Sequence, residues 1–209
     1  MCFSATASFI AGGALTVIGV VTVKLAANRK ELPFAVIPLL FGIQQIIEGG
    51  LWLSFNYDIT QLKVVTTYMF TLFSHVLWPI YMPFAVRSME QKPWRKKIML
   101  GFQLIGLGVG IYLFMLIATL PLTAVAGEHI IYVSPHFYEW AVMAFYIAST
   151  CLVSFFSSYS LIRLFGVLVL LLFMLAYYFY TVAFFSVWCF FAAILSAIIY
   201  LFFRGKETA

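Results

Sequence analysis

Glu48 could do chemistry in surroundings that otherwise exclude it. It stands in the stretch Phe41-Gly-Ile-Gln44-Gln45-Ile-Ile-Glu48-Gly49-Gly50-Leu-Trp52, within an apolar run long enough to cross a bilayer. If that run is helical, Gln44, Gln45 and Glu48 share one face, because side chains three and four positions apart are neighbours. An ionisable group in hydrocarbon is costly, so by default it faces a protein interior and marks a functional site. A carboxylate flanked by two amides can take a proton, hold a small cation or bind a polar solute.

His75 is the second such residue. It is followed by Trp78-Pro79-Ile-Tyr81-Met-Pro83. Neither proline has an N–H, so in an α-helix the carbonyls of residues 75 and 79 lose their donors. In a bilayer such a carbonyl must be satisfied by a side chain, a water or a ligand. At a rise of about 1.5 Å per residue, Glu48 lies about 10 Å and His75 about 16 Å below the same surface, with Gln44 near the depth of His75. Matched depth predicts Glu48 and His75 within direct or one-water hydrogen-bond reach. Trp52, Trp78 and Cys189 complete the candidate lining. Cys189 lies in Ser186-Val-Trp188-Cys189 at the depth of Glu48; a thiol in apolar surroundings is inert, so it counts as packing unless it faces that carboxylate.

The third set is metal-capable: His129, His136 and Glu139 in the 120–137 connection and its flank, with Cys2 if the N-terminus folds back over the bundle. Zinc takes such N, O and S ligands, but the spacing matches no local motif. The preferred reading of 120–137 is a solvated interfacial loop, and of Ser4 or Thr6 a cap for the first helix.

These residues need elements to position them. The chain is 65% hydrophobic and 9% charged over 209 residues, against about 25% charged in soluble domains. That excess needs lipid as solvent. The expected fold is all-α: a single polytopic membrane domain, 1–209, with seven transmembrane helices. The apolar windows are 7–27, 33–55, 64–87, 97–119, 137–157, 159–179 and 181–203, with six spans as the fallback. Lys24, Arg29, Lys30, Arg87, Lys92, Arg95, Lys96, Lys97, Arg163, Arg204 and Lys206 fall on one side of that alternation and only Lys63 on the other. The positive-inside rule then places the N-terminus outside and the C-terminus in the cytoplasm. The net charge of +5 reflects the same rule, so no nucleic-acid partner is implied. Three cysteines make no disulfide framework, and the first helix lacks the flanks of a cleaved signal. Trp52, Tyr57, Trp140, Tyr177, Tyr178 and Tyr180 should ring the outer interface and Trp94 the inner one. Gly12, Gly13, Gly19 and the Gly106-x-x-x-Gly110 motif permit close helix contacts.

The opening Met-Cys-Phe-Ser-Ala, the Gln44-Gln45-x-x-Glu48-Gly stretch, Trp78-Pro79 and Ser186-Val-Trp188-Cys189-Phe-Phe-Ala-Ala resemble an uncharacterised family of small bacterial multi-pass membrane proteins. The resemblance spans the chain, implies a bacterial inner-membrane location and brings no activity. Other seven-helix classes fit badly. Microbial-rhodopsin-like proteins hold retinal on a lysine of the last helix, and here none precedes Arg204. Ceramidase-type metal hydrolases need histidines in that helix, which has none.

Three functions follow. The first is binding or transport of a small molecule or ion, linked to protons, in an outward-opening polar pocket at Glu48. The second is an intramembrane enzyme using His75 and Glu48 for acid–base chemistry, with or without a metal. The third is a structural or accessory subunit in which the pair locks helices together. The pattern specifies no cofactor and no oligomeric state.

Overall fold

The computed structural model describes residues 4–133, 139–181 and 183–207. Six helices are long and apolar enough to cross a membrane: α1 (Ala5–Leu25), α2 (Leu32–Asn56), α3 (Thr60–Met89), α4 (Pro93–Thr119), α6 (Ser160–Phe179) and α7 (Phe184–Lys206). Between α4 and α6 lies a shorter apolar helix, α5 (Trp140–Phe156). Its α-winding stops at Cys151 and the last turns, Leu152–Phe156, are 3₁₀.

Local chemistry sets the helix ends. The Ser4 side chain accepts from the Ala7 N–H at 3.2 Å and caps α1. Pro33 and Pro93 each stand in a first helical turn, where a missing N–H costs nothing. Pro38 follows a break in α2 at Val36, and the Tyr81 hydroxyl donates to the nearby Pro33 carbonyl at 2.8 Å.

Close approach fixes how the helices pair. A Cβ at Gly19 would collide with the Leu39 backbone, and one at Gly42 with Thr16, so α1 and α2 touch backbone to backbone. Gly13 has nothing beside it and takes no part. A Cβ at Gly106 would strike the Pro79 carbonyl oxygen. That oxygen has lost its α-helical donor because Pro83 has no N–H. Glycine at 106 lets α4 lie directly against it, a weak Cα–H···O contact in place of the missing bond.

The connection after α4 corrects the expectation of a solvated loop in a purely helical chain. It forms an antiparallel hairpin, β1 (Thr123–Ala126) with β2 (Ile130–Val133), paired from Thr123↔Val133 to Ala126↔Ile130. Its side chains alternate as a strand requires: Ile130 and Tyr132 are buried, while Ile131 is half-buried and Val133 exposed. Tyr132 stacks on Phe70 of α3 with ring centroids 4.5 Å apart. Ile130 and Tyr132 join Ile47, Leu51, Trp52, Phe70 and Cys189 in one apolar cluster at the hairpin end of the bundle. Trp52 is therefore no interfacial belt residue; it is 8% exposed beneath the hairpin. Tyr57, Trp94, Trp140, Tyr177, Tyr178 and Tyr180 are exposed.

At the opposite, basic end the connections are tied by carboxylates. Lys206 of α7 pairs with Glu31 at 2.7 Å. Glu90 accepts from the Ser158 N–H and hydroxyl, both at 2.7 Å, and from the Gln91 and Lys92 N–H groups at 2.9 Å.

Candidate functional site

α2 turns Gln44, Gln45 and Glu48 wholly into the bundle; each is 0% exposed. Gln44, Glu48 and Trp52 follow at i+4 spacing and form one line along that face. At its inner end the Gln44 Oε1 accepts from the Trp78 indole N–H at 2.7 Å. The Trp78 ring stacks on Phe41, centroids 3.9 Å apart, which fixes the indole. At its centre the Glu48 Oε1 accepts from the Ser186 hydroxyl at 2.5 Å. Cys189, one turn along α7 from Ser186, packs in the apolar cluster with Ile47, Leu51 and Trp52.

α3 brings His75 in through a distortion that the prolines cause. Residues Leu72–Leu77 are wound as a π-helix, in which Trp78 donates to the Phe73 carbonyl five residues back. In that wider ladder Pro79 should donate to Ser74, and it has no N–H to do so. The Tyr146 hydroxyl of α5 donates to the Ser74 carbonyl instead. The freed carbonyl is thus re-satisfied by a neighbouring side chain, one residue earlier than an α-helical count predicts. The His75 Nδ1 is 2.6 Å from the Ser74 hydroxyl, and its ring lies 4.6 Å from that of Phe185. Phe185 and Ser186 are consecutive on α7, so this helix touches both His75 and Glu48.

Several atoms of the line have no hydrogen-bond partner among the described residues. They are Glu48 Oε2, both polar atoms of the Gln45 amide, Gln44 Nε2 and Trp52 Nε1. Gln45 approaches Glu48 without completing a bond. An unpaired buried polar group costs about 1–3 kcal/mol, and buried Trp N–H groups usually find partners. Trp188 shows the ordinary case, donating to the Val169 carbonyl at 3.1 Å. Glu48 Oε2 and Gln45 Oε1 are acceptors and can hold a proton, a water or a small cation. The Gln44, Gln45 and Trp52 N–H groups are donors that suit a water or the carboxylate itself.

A cavity of about 30 Å³ adjoins the line through Trp78 and Cys189, with Phe41, Met82, Tyr146 and Trp188 also in its wall. That wall is almost wholly apolar and includes neither Glu48 nor Gln45. The expected opening at the hairpin end is covered, because Ile130 and Tyr132 pack with Trp52, Ile47 and Leu51 over it.

A model of a family of unknown function, DUF6629, matches residues 1–209. The chain belongs to that family. No curated protein and no solved structure matches it. Membership in DUF6629 agrees with the expectation of an uncharacterised family and assigns no role to Glu48.

Among the described residues no three His, Cys, Asp or Glu side chains come close enough to hold a metal ion. His129 sits in the hairpin with its ring edge-on to Tyr180, centroids 4.9 Å apart. Glu139 lies at the start of α5, in a groove beside Leu104 and Tyr112 of α4. Cys2 and His136 lie outside the described residues. The sequence reading missed Ser186 as the partner of Glu48 and Phe185 as that of His75. The only signal was the depth of 186, which equals that of Glu48. Tyr146, Thr150 and Ser158, which recur at multiples of four along α5 and the connection after it, serve separate ends: Tyr146 binds the Ser74 carbonyl, Thr150 lines the cavity and Ser158 binds Glu90.

Proposed function

We propose that this DUF6629 protein is an integral membrane protein of the bacterial inner membrane that binds a proton or small cation at Glu48. The chain crosses the membrane seven times in this reading, α5 being the short span. The hairpin end is outside, and the basic end is cytoplasmic. The observation that carries the reading is a pair of unpaired buried acceptors, Glu48 Oε2 and Gln45 Oε1, on one face of α2. Binding would be felt at the hairpin, because Trp52 belongs both to the line and to the apolar cluster under Ile130 and Tyr132. Transport through this site requires the hairpin to lift.

A second reading has its own support. Trp78–Gln44 joins α3 to α2 and Ser186–Glu48 joins α7 to α2, as a purely structural lock would. The deciding experiment uses protein in lipid nanodiscs, with infrared difference spectra recorded across pH and across sodium and potassium concentration. A carboxyl signal that titrates or responds to cation, and that disappears in Glu48→Gln, supports binding. Identical difference spectra for the natural protein and Glu48→Gln would leave the structural lock.

A further inference from the structure

The basic end carries a second site unrelated to Glu48. The α1–α2 and α3–α4 connections meet there with Tyr159, from the α5–α6 connection, around a cleft of about 540 Å³. Arg29, Lys30 and Lys96 line it, together with Glu31 and Glu90. The two carboxylates would be expected to neutralise the cations, and both are committed elsewhere. Glu31 takes Lys206 at 2.7 Å, with the Asn28 amide and the Ala27 N–H at 3.0 Å. Glu90 takes the Ser158, Gln91 and Lys92 donors. Burial pushes both carboxyls up, but these donors outweigh it and hold each below its usual range. They therefore stay ionised and stay occupied. The side chains of Arg29, Lys30 and Lys96 make no hydrogen bond or ion pair with any described residue, and Lys96 is half-buried.

We infer that this cleft binds a phosphate-type anion. Three cations line one concave space. Lys206 offsets Glu31, and Glu90 leaves one negative charge against the three. The cleft therefore keeps a net positive charge that an anion from outside the chain can answer. Arg29 supplies a planar fork that matches phosphate oxygens, and the lysines act as point charges. The volume admits the group that bears the phosphate, and Met89 and Tyr159 give it an apolar wall. The cleft lies where the apolar helices end, so the phosphate belongs either to a lipid headgroup or to a soluble phosphate ester. A general basic rim would behave differently: Lys24 and Lys97 lie at the same end but do not line the cleft.

The test compares the natural protein with two double variants, Arg29→Gln/Lys96→Gln and the control Lys24→Gln/Lys97→Gln. Native mass spectrometry reads lipid retained from mixed phosphatidylglycerol–phosphatidylcholine nanodiscs. Calorimetry in neutral detergent reads binding of glycerol phosphate. Retained phosphatidylglycerol that falls about tenfold in the cleft variant and not in the control supports the site with a lipid source. Saturable glycerol phosphate binding lost in the same variant supports it with a soluble source. Charge-preserving Arg29→Lys/Lys96→Arg should restore most of either signal, which separates charge from misfolding. Equal losses in both glutamine variants, or no saturable binding of either ligand, would overturn the inference.

Discussion

Glu48 and Glu90 are the most deeply buried acids among the described residues, at 0% and 1% exposure, and they are held in opposite ways. Glu90 has donors on both oxygens, two of them, the Ser158 N–H and hydroxyl, reaching across from the α5–α6 connection. Glu48 has one short bond on one oxygen and nothing on the other among the described residues. A saturated carboxylate is a clamp: removing it strands its donors. An unsaturated carboxylate in a bundle of apolar helices contributes little to folding and keeps capacity for something else. Burial alone would have ranked the two together; the hydrogen-bond inventory separates them.

The largest effect that distinguishes them is on stability. Glu90→Leu should lower it by about 2–3 kcal/mol, because the half-buried Ser158 N–H and hydroxyl lose a charged partner, while the exposed Gln91 and Lys92 N–H groups can turn to water. Thermal unfolding in detergent measures the loss. A cost below about 1 kcal/mol would show that Glu90 is no clamp and would remove the contrast with Glu48.

How much of this was legible depends on range. A single charge inside an apolar window announces Glu48 by composition alone, and the same windows locate the helices to within about a turn. The partners of Glu48 are another matter. Ser186 is 138 positions away, and nothing in its neighbourhood distinguishes it from a helix-packing serine. Depth counting put Glu48 and His75 together, but depth gives no azimuth, and azimuth decides which neighbour each side chain meets. The π-turn at Leu72–Leu77 rotates everything before Trp78 by an amount that an α-helical count cannot supply. The hairpin was passed over because Gly127, Glu128 and His129 read as loop, while the alternation on either side covers only four residues per strand.

Acid should reveal the clamp more gently. The Glu31 and Glu90 carboxyls sit below the usual carboxylate value of 4.5. A group with a depressed folded value contributes stability above its unfolded value and loses it as pH falls through the folded one. The contribution of these two carboxyls to stability should therefore be flat above about pH 5 and decline below about pH 4.5. Glu90→Gln should flatten that decline. If the acid dependence is unchanged in this variant, the hydrogen bonds to Glu90 do not favour its ionised form.

Between the two regions lies the junction that carries His75. Tyr146→Phe removes only the hydroxyl that replaces the missing Pro79 donor at Ser74. The ring would keep its edge-on contacts with Phe185 and Trp188, so the change isolates one buried hydrogen bond. A loss of about 1–2 kcal/mol is expected, measured by the same unfolding experiment. No loss would mean that the π-turn satisfies itself, and that α5 does not help to position His75.

The smallest stability effect should come from the centre of the candidate site. Glu48→Leu removes one bond to Ser186, and the serine hydroxyl can turn back to a carbonyl of its own preceding turn. The same change relieves the burial of a carboxylate whose second oxygen is unpaired, which acts in the opposite direction. Polar contacts between membrane helices average about 0.6 kcal/mol, so the net change should lie within about 1 kcal/mol of zero in either direction. The pairing of a near-neutral Glu48→Leu with a costly Glu90→Leu is what distinguishes an open site from a clamp. If Glu48→Leu instead unfolds the protein, its carboxylate is a structural lock, and the unpaired atoms around it are satisfied within the folded chain. If it is near neutral in stability and also abolishes the cation or proton response of the carboxyl signal, the two acids have been separated by function as well as by geometry.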